Sequence, residues 1–85
     1  MIHARKDYNE RIQDSAGLIP ADEPVFLIRA QDVAGPRAVR AWAHIHRMNG
    51  GSDPMYTAAM RHALKMEEWA EKHGSKNADA PEEVL

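Results

Sequence analysis

From Pro36 to Met48 the chain reads PRAVRAWAHIHRM, and advancing about 100° per residue sorts this stretch by chemistry. Arg37, Arg40, His44 and Arg47 fall in one narrow sector, while Ala38, Val39, Trp42, Ile45 and His46 take the other side. The pattern predicts a helix with a cationic outer stripe and a greasy inner face. Gly35-Pro36 starts it, because proline suits a first-turn position that needs no N–H, and Asn49-Gly50-Gly51 stops it. Ser52-Asp53-Pro54 repeats the start signal, so a second helix is expected from Pro54 to about His73, ended by Gly74. Its broad apolar face is Tyr56, Ala59, His62, Ala63, Met66, Trp69 and Ala70. The wet face is Thr57, Arg61, Lys65, Glu68 and Lys72. Met60 and Leu64 fall on a flank, as a second packing surface or a subunit contact would require.

The N-terminal third has a different texture. Tyr8 to Gln13, YNERIQ, alternates poorly and predicts at most a short edge strand; Asp14-Ser15-Ala16-Gly17 and Pro20 are turn formers. Pro24 precedes Val25-Phe26-Leu27-Ile28, a β-branched and aromatic run that predicts a buried strand ending near Arg29 or Ala30. A short helix capped by Asp22 is the rival reading. A lone strand needs a pairing partner, so the prediction adds a hairpin-like arrangement with the N-terminal segment, or a second subunit.

Size and charge narrow the picture. The 85 residues suit a single small globular domain over 1–74, followed by an acidic flexible tail over 75–85. A core this small favours self-association, so a homo-oligomer is expected. There is no cysteine, which removes disulfides and thiolate chemistry and makes the cytoplasm the default expectation. No apolar run approaches a membrane span, and no apolar segment follows the charges of MIHARKDYNE as in a signal peptide, so no membrane partner is expected. The formal charge of -2 conceals a division. Met1–Glu23 carries -2, Pro24–Met66 carries +4 and Glu67–Leu85 carries -4. An anionic partner for the middle, or the acidic tail folded back over it, would each follow from that asymmetry.

The candidate chemistry lies in the basic stripe. Arg37, Arg40, His44 and Arg47, with Arg29 and Gln31 from the end of the strand, would surround a helix N-terminus whose free N–H groups could grip a phosphate or carboxylate. The bland alternative is a solvated helix face whose arginines pair with Asp32 or the acidic tail. Two helices joined by Asn-Gly-Gly-Ser also suggest a helix-turn-helix, but the basic helix is the first of the pair and the next one carries Glu67, Glu68 and Glu71, so nucleic acid is the weaker reading. His44 and His46 point too far apart on a helix to chelate one ion, and His46 and His62 read as packed core histidines, so no metal is expected. Trp42, Trp69 and Tyr56 read as core rather than as a stacking platform. No Gly-rich phosphate loop, nucleophile elbow or H-E-x-x-H is present, so neither an enzyme nor a cofactor is expected.

Asp22-Glu23-Pro24-Val25-Phe26-Leu27-Ile28-Arg29-Ala30-Gln31-Asp32, followed by Val39-Arg40-Ala41-Trp42-Ala43 and closed by Met66-Glu67-Glu68-Trp69, resembles small uncharacterised bacteriophage and prophage proteins over about residues 8–74. The resemblance implies a context only: such proteins often act on the host, including by inhibiting defence systems or trapping the nucleotide signals those systems use. The expected fold is α+β and predominantly helical, with a short N-terminal β element and two antiparallel helices packing Trp42 and Trp69 into one core. The expected function is a non-enzymatic, host-directed (counter-defence) protein of the host cytoplasm that binds or sequesters an anionic, nucleotide-like small molecule through Arg29, Gln31, Arg37, Arg40, His44 and Arg47. The alternative is a protein–protein interaction module for a host protein, or a structural phage protein acting through homo-oligomerisation.

Overall fold

A computed structural model of the chain describes residues 1–79. Its contacts divide into two compact units, one made of Met1–Leu27 with Asp79 and the other of Ile28–Ala78. The fold is predominantly helical with a short two-stranded parallel sheet.

In the first unit β1 (Ile2–His3) pairs in parallel with β2 (Pro24–Val25), in the register Ile2 to Pro24 and His3 to Val25. Between them lies α1 (Lys6–Arg11). The expected edge strand over Tyr8–Gln13 is therefore largely a helix. Tyr8 and Ile12 are spaced i,i+4, which aligns them on a helix, and the Ile12 N–H donates to the Tyr8 carbonyl at 2.8 Å. Arg5 adds a bidentate pair to Asp7, at 2.9 and 2.7 Å, and lies 4.4 Å over the Tyr8 ring. That guanidinium bond holds the Asp7 carboxyl below its ordinary range. Asp14 ties its turn by accepting from the Ile19 N–H at 2.7 Å, which likewise depresses its carboxyl. The core of this unit is His3 and Tyr8.

The buried strand expected over Val25–Ala30 shrinks to Pro24–Val25, with Phe26 75% exposed. The parallel register also replaces the expected hairpin-like pairing. Only two residues of each strand pair, so the apolar run beyond Val25 has no ladder to enter.

The second unit is the packed pair α2 (Gly35–Met48) and α3 (Asp53–His73). Both helices occupy nearly the ranges that the sequence predicts. Asn49–Ser52 joins them: Gly50 takes a positive φ of 81°, the Gly51 N–H donates to the His46 carbonyl, and the Ser52 side chain caps α3 by accepting from the Met55 N–H. The seam is built from small groups. Ala43 and Ala63 are wholly buried, joined by Gly35, Pro36, Ala59 and Met66.

This seam corrects the expected inner face. On α2 it lies between the basic and the greasy sectors, centred near Ala43 and Pro36, so Trp42 and Ile45 remain 47% and 58% exposed. On α3 it takes in Ala59, Ala63 and Met66 with half-buried Tyr56, Met60 and Ala70, but leaves Trp69 41% exposed and His62 and Leu64 in solvent. The two tryptophans are therefore not a shared core. Each instead stacks on a histidine one turn later, Trp42 on His46 and Trp69 on His73, with centroids 4.9 and 4.3 Å apart. His46 is half-buried with an unpartnered Nε2 rather than a hydrogen-bonded core histidine, and His62 is no core residue at all.

Part of the expected tail is tied down. Lys76 bridges to the Gln31–Val33 loop: the Val33 N–H donates to its carbonyl at 2.9 Å, and its own N–H donates to the Gln31 carbonyl at 2.8 Å. The rest of that expectation, residues 80–85, lies outside the described residues.

Gly35 is the tightest point of the second unit. A Cβ placed there would lie 2.5 Å from the Arg29 carbonyl oxygen, a backbone atom that cannot swing aside. Gly35→Ala is expected to lower the unfolding free energy by about 1–3 kcal/mol, measured by urea denaturation.

Candidate functional site

The six residues singled out in the sequence divide into two groups. The first group is engaged by α3. Arg40 pairs with Glu67, both partly exposed. Arg47 lies 3.7 Å from Asp53 and 4.6 Å over the ring of Tyr56, and His44 meets the same ring edge-on at 5.5 Å. Three members of the cationic stripe, Arg40, His44 and Arg47, thus lie along the helix–helix boundary, holding α2 to α3 through two carboxylates and one tyrosine.

The second group is free. The side chains of Arg29 and Arg37 are exposed and make no hydrogen bond, ion pair or ring contact among the described residues. Both belong to the start of α2, because the Arg29 carbonyl lies against Gly35, two residues before Arg37. Gln31 is half-buried in the loop between them, with its carbonyl engaged by Lys76.

The helix N-terminus itself differs from expectation. Asp32 already occupies it: its side chain accepts from the Ala34 N–H at 2.9 Å, its carbonyl accepts from the Gly35 N–H at 2.8 Å, and Pro36 has no N–H to offer. An anion gains little from those backbone groups. A cavity of about 280 Å³ opens beside them, lined by Asp32, Val33, Pro36, Glu67, Ala70 and Glu71 among others. Its three carboxylates make it a poor seat for a negative ligand.

A second concavity, about 440 Å³ in volume, lies on the exposed apolar side of the helix pair, lined by Val39, Trp42, Met55, Ala58, Ala59 and His62. The sequence reading missed it because it assigned Trp42 to the interior. The role of Glu67 as partner of Arg40 was also missed, although the opposed charges of the middle and C-terminal segments are a signal of that pairing.

Among the described residues, no group of three His, Asp or Glu is placed to hold a metal ion, and no helix is long and apolar enough to cross a membrane. No family model, curated protein or solved structure matches the chain.

The boundary ion pair is partly exposed, which limits its worth to about 0.2–1 kcal/mol. A double-mutant cycle of Arg40→Ala and Glu67→Ala, followed by denaturation, is expected to return a coupling energy in that range that declines in high salt.

Proposed function

We propose that this chain is a non-enzymatic binding protein of phage type that sequesters an anionic, nucleotide-like small molecule, with Arg29 and Arg37 as the cations that meet the ligand. One observation carries the reading: of the arginines in the candidate set, these two have exposed side chains without a partner among the described residues, while Arg40 and Arg47 are engaged by α3. Guanidinium groups free of carboxylates retain their full set of donors for bidentate capture of phosphate. Gln31, on the same loop, adds an amide able to meet a sugar or base edge. Arg40, His44 and Arg47 act indirectly in this reading, fixing α2 so that Arg37 projects from a rigid helix.

The resemblance to small phage proteins narrows the ligand class by analogy and points to a counter-defence role in the host cytoplasm. A helix pair carrying exposed Trp42, Ile45, Met55 and Trp69 on α2 and α3 suits a protein that works as a homo-oligomer, in which copies cover one another's apolar faces. The apolar concavity also favours a second reading, an interaction module that docks a host protein there. A nucleic-acid ligand is disfavoured by the carboxylates of α3.

The readings separate in solution. Nucleotides, cyclic and linear, are expected to raise the melting temperature of a sequestering protein, whereas an interaction module responds only to a protein bait. Each charge-assisted hydrogen bond is worth about 1.5–3 kcal/mol, so Arg29→Ala with Arg37→Ala is expected to weaken nucleotide binding in calorimetry by more than tenfold. Arg40→Ala is expected to change stability more than affinity. Unchanged affinity in the Arg29/Arg37 double variant would reject the assignment.

A further inference from the structure

One short segment of the second unit is held by its backbone rather than by buried area. Beyond α3 the chain turns back at Gly74 and meets the loop that leads into α2. The Val33 N–H donates to the Lys76 carbonyl at 2.9 Å, and the Lys76 N–H donates to the Gln31 carbonyl at 2.8 Å. These reciprocal bonds tie the end of α3 to the approach to α2, the two parts of the helix pair that the link over residues 49–52 does not join. Residues 74–78 are exposed, and so is Val33. Hydrogen bonds in contact with water add little net stability each, whereas the helix seam rests on wholly buried Ala43 and Ala63. A segment held in this way opens far more often than the helices part.

The turn depends on one residue. Gly74 takes φ 86° and ψ 163°, a conformation that glycine alone enters readily, and its N–H donates to the Ala70 carbonyl at 2.7 Å as α3 ends. A Cβ added there would meet nothing within 4 Å. The cost of a side chain at this position is therefore one of backbone conformation, and it falls on the turn.

What the segment fixes lies on the loop. Gln31 is held through its carbonyl, and Asp32, the next residue, accepts from the Ala34 N–H at the start of α2. The Arg29 carbonyl lies against Gly35. Loop and helix start are thus one piece while the segment is seated, and Ser75 forms part of the wall of the cavity of about 280 Å³ beside them.

We propose that residues 74–76 are a detachable clasp: seated, they fix the 29–33 loop against the start of α2; released, they free that loop and open the cavity while α2 and α3 stay packed. The clasp itself needs no ligand. Its role at the site rests on the sequestration reading, in which Arg29 and Gln31 meet the ligand: a seated clasp presents them in one arrangement, so ligand binding and clasp closure favour each other equally.

The test is amide hydrogen exchange of the full chain, compared with Gly74→Ala and joined to calorimetry with ADP and cyclic AMP as probes. In the unaltered chain the amides of Val33 and Lys76 are expected to show matched protection and to exchange well before those of Ala43 and Ala63. Strain at the turn in Gly74→Ala is expected to lower the protection of both clasp amides by about tenfold and to leave Ala43 and Ala63 unchanged. It is also expected to weaken binding of whichever probe the unaltered chain takes by about threefold or more. Clasp amides protected as strongly as Ala63, unequal protection of Val33 and Lys76, or protection unmoved by Gly74→Ala would overturn the clasp. If that variant fails to fold, the comparison of Val33 and Lys76 with Ala63 in the unaltered chain decides alone. Equal affinity for a probe in the two chains would overturn the positioning role and leave the sequestration reading standing. Binding of neither probe by the unaltered chain would remove that reading and the positioning role with it, while the exchange data still decide the clasp.

Discussion

Two alanines set the geometry of the larger unit. Ala43 on α2 and Ala63 on α3 have no exposed surface, and helices meeting through methyl groups approach closely because nothing longer holds them apart. Close approach has a consequence for the large side chains. Trp42 and Trp69 each lie next in sequence to a seam residue, Ala43 and Ala70, and 100° of helical rotation from a tight seam carries an indole out of it. The pair is held together by fit and by the ion pairs along its boundary, while much of its apolar area stays outside.

Charge follows the same logic. The basic stripe was expected to face outwards, yet Arg40 finds Glu67, and Arg47 finds Asp53 and the face of Tyr56. Such pairs between partly exposed groups add little stability, but they fix which side of α2 faces α3. Arginines that complete a helix boundary have few donors left for a ligand. Among the described residues the two side chains without partners, Arg29 and Arg37, lie around the start of α2, which is why the proposed site is set there rather than along the whole stripe.

The helices were legible because their boundaries are written in local chemistry: Gly35-Pro36, Asn49-Gly50-Gly51, Ser52-Asp53-Pro54 and Gly74 each act within a turn of themselves. The seam was not, because amphipathic sorting weighs Trp42 and Ile45 above Ala43, whereas close packing selects the smallest group. The N-terminal unit was harder still. Tyr8 and Ile12 fit alternation and the helical repeat equally well in so short a stretch, and nothing in Val25-Phe26-Leu27-Ile28 reveals that its pairing partner is only two residues long. At the candidate site, Arg29 and Arg37 were two of six residues proposed from sequence, which did not show that Arg40 and Arg47 would be engaged by α3. That Asp32 would consume the helix N-terminus required the loop geometry, which brings its carboxylate back to the Ala34 N–H.

A seam of small residues leaves the tryptophans partly exposed, and the proposed homo-oligomer would cover them with a second copy of the same chain. Sedimentation equilibrium at micromolar concentration, read together with quenching of tryptophan fluorescence by acrylamide, addresses that directly. The proposal expects a mass of at least two chains, with indoles shielded from the quencher. A monomer at every concentration, with both indoles freely quenched, would contradict it.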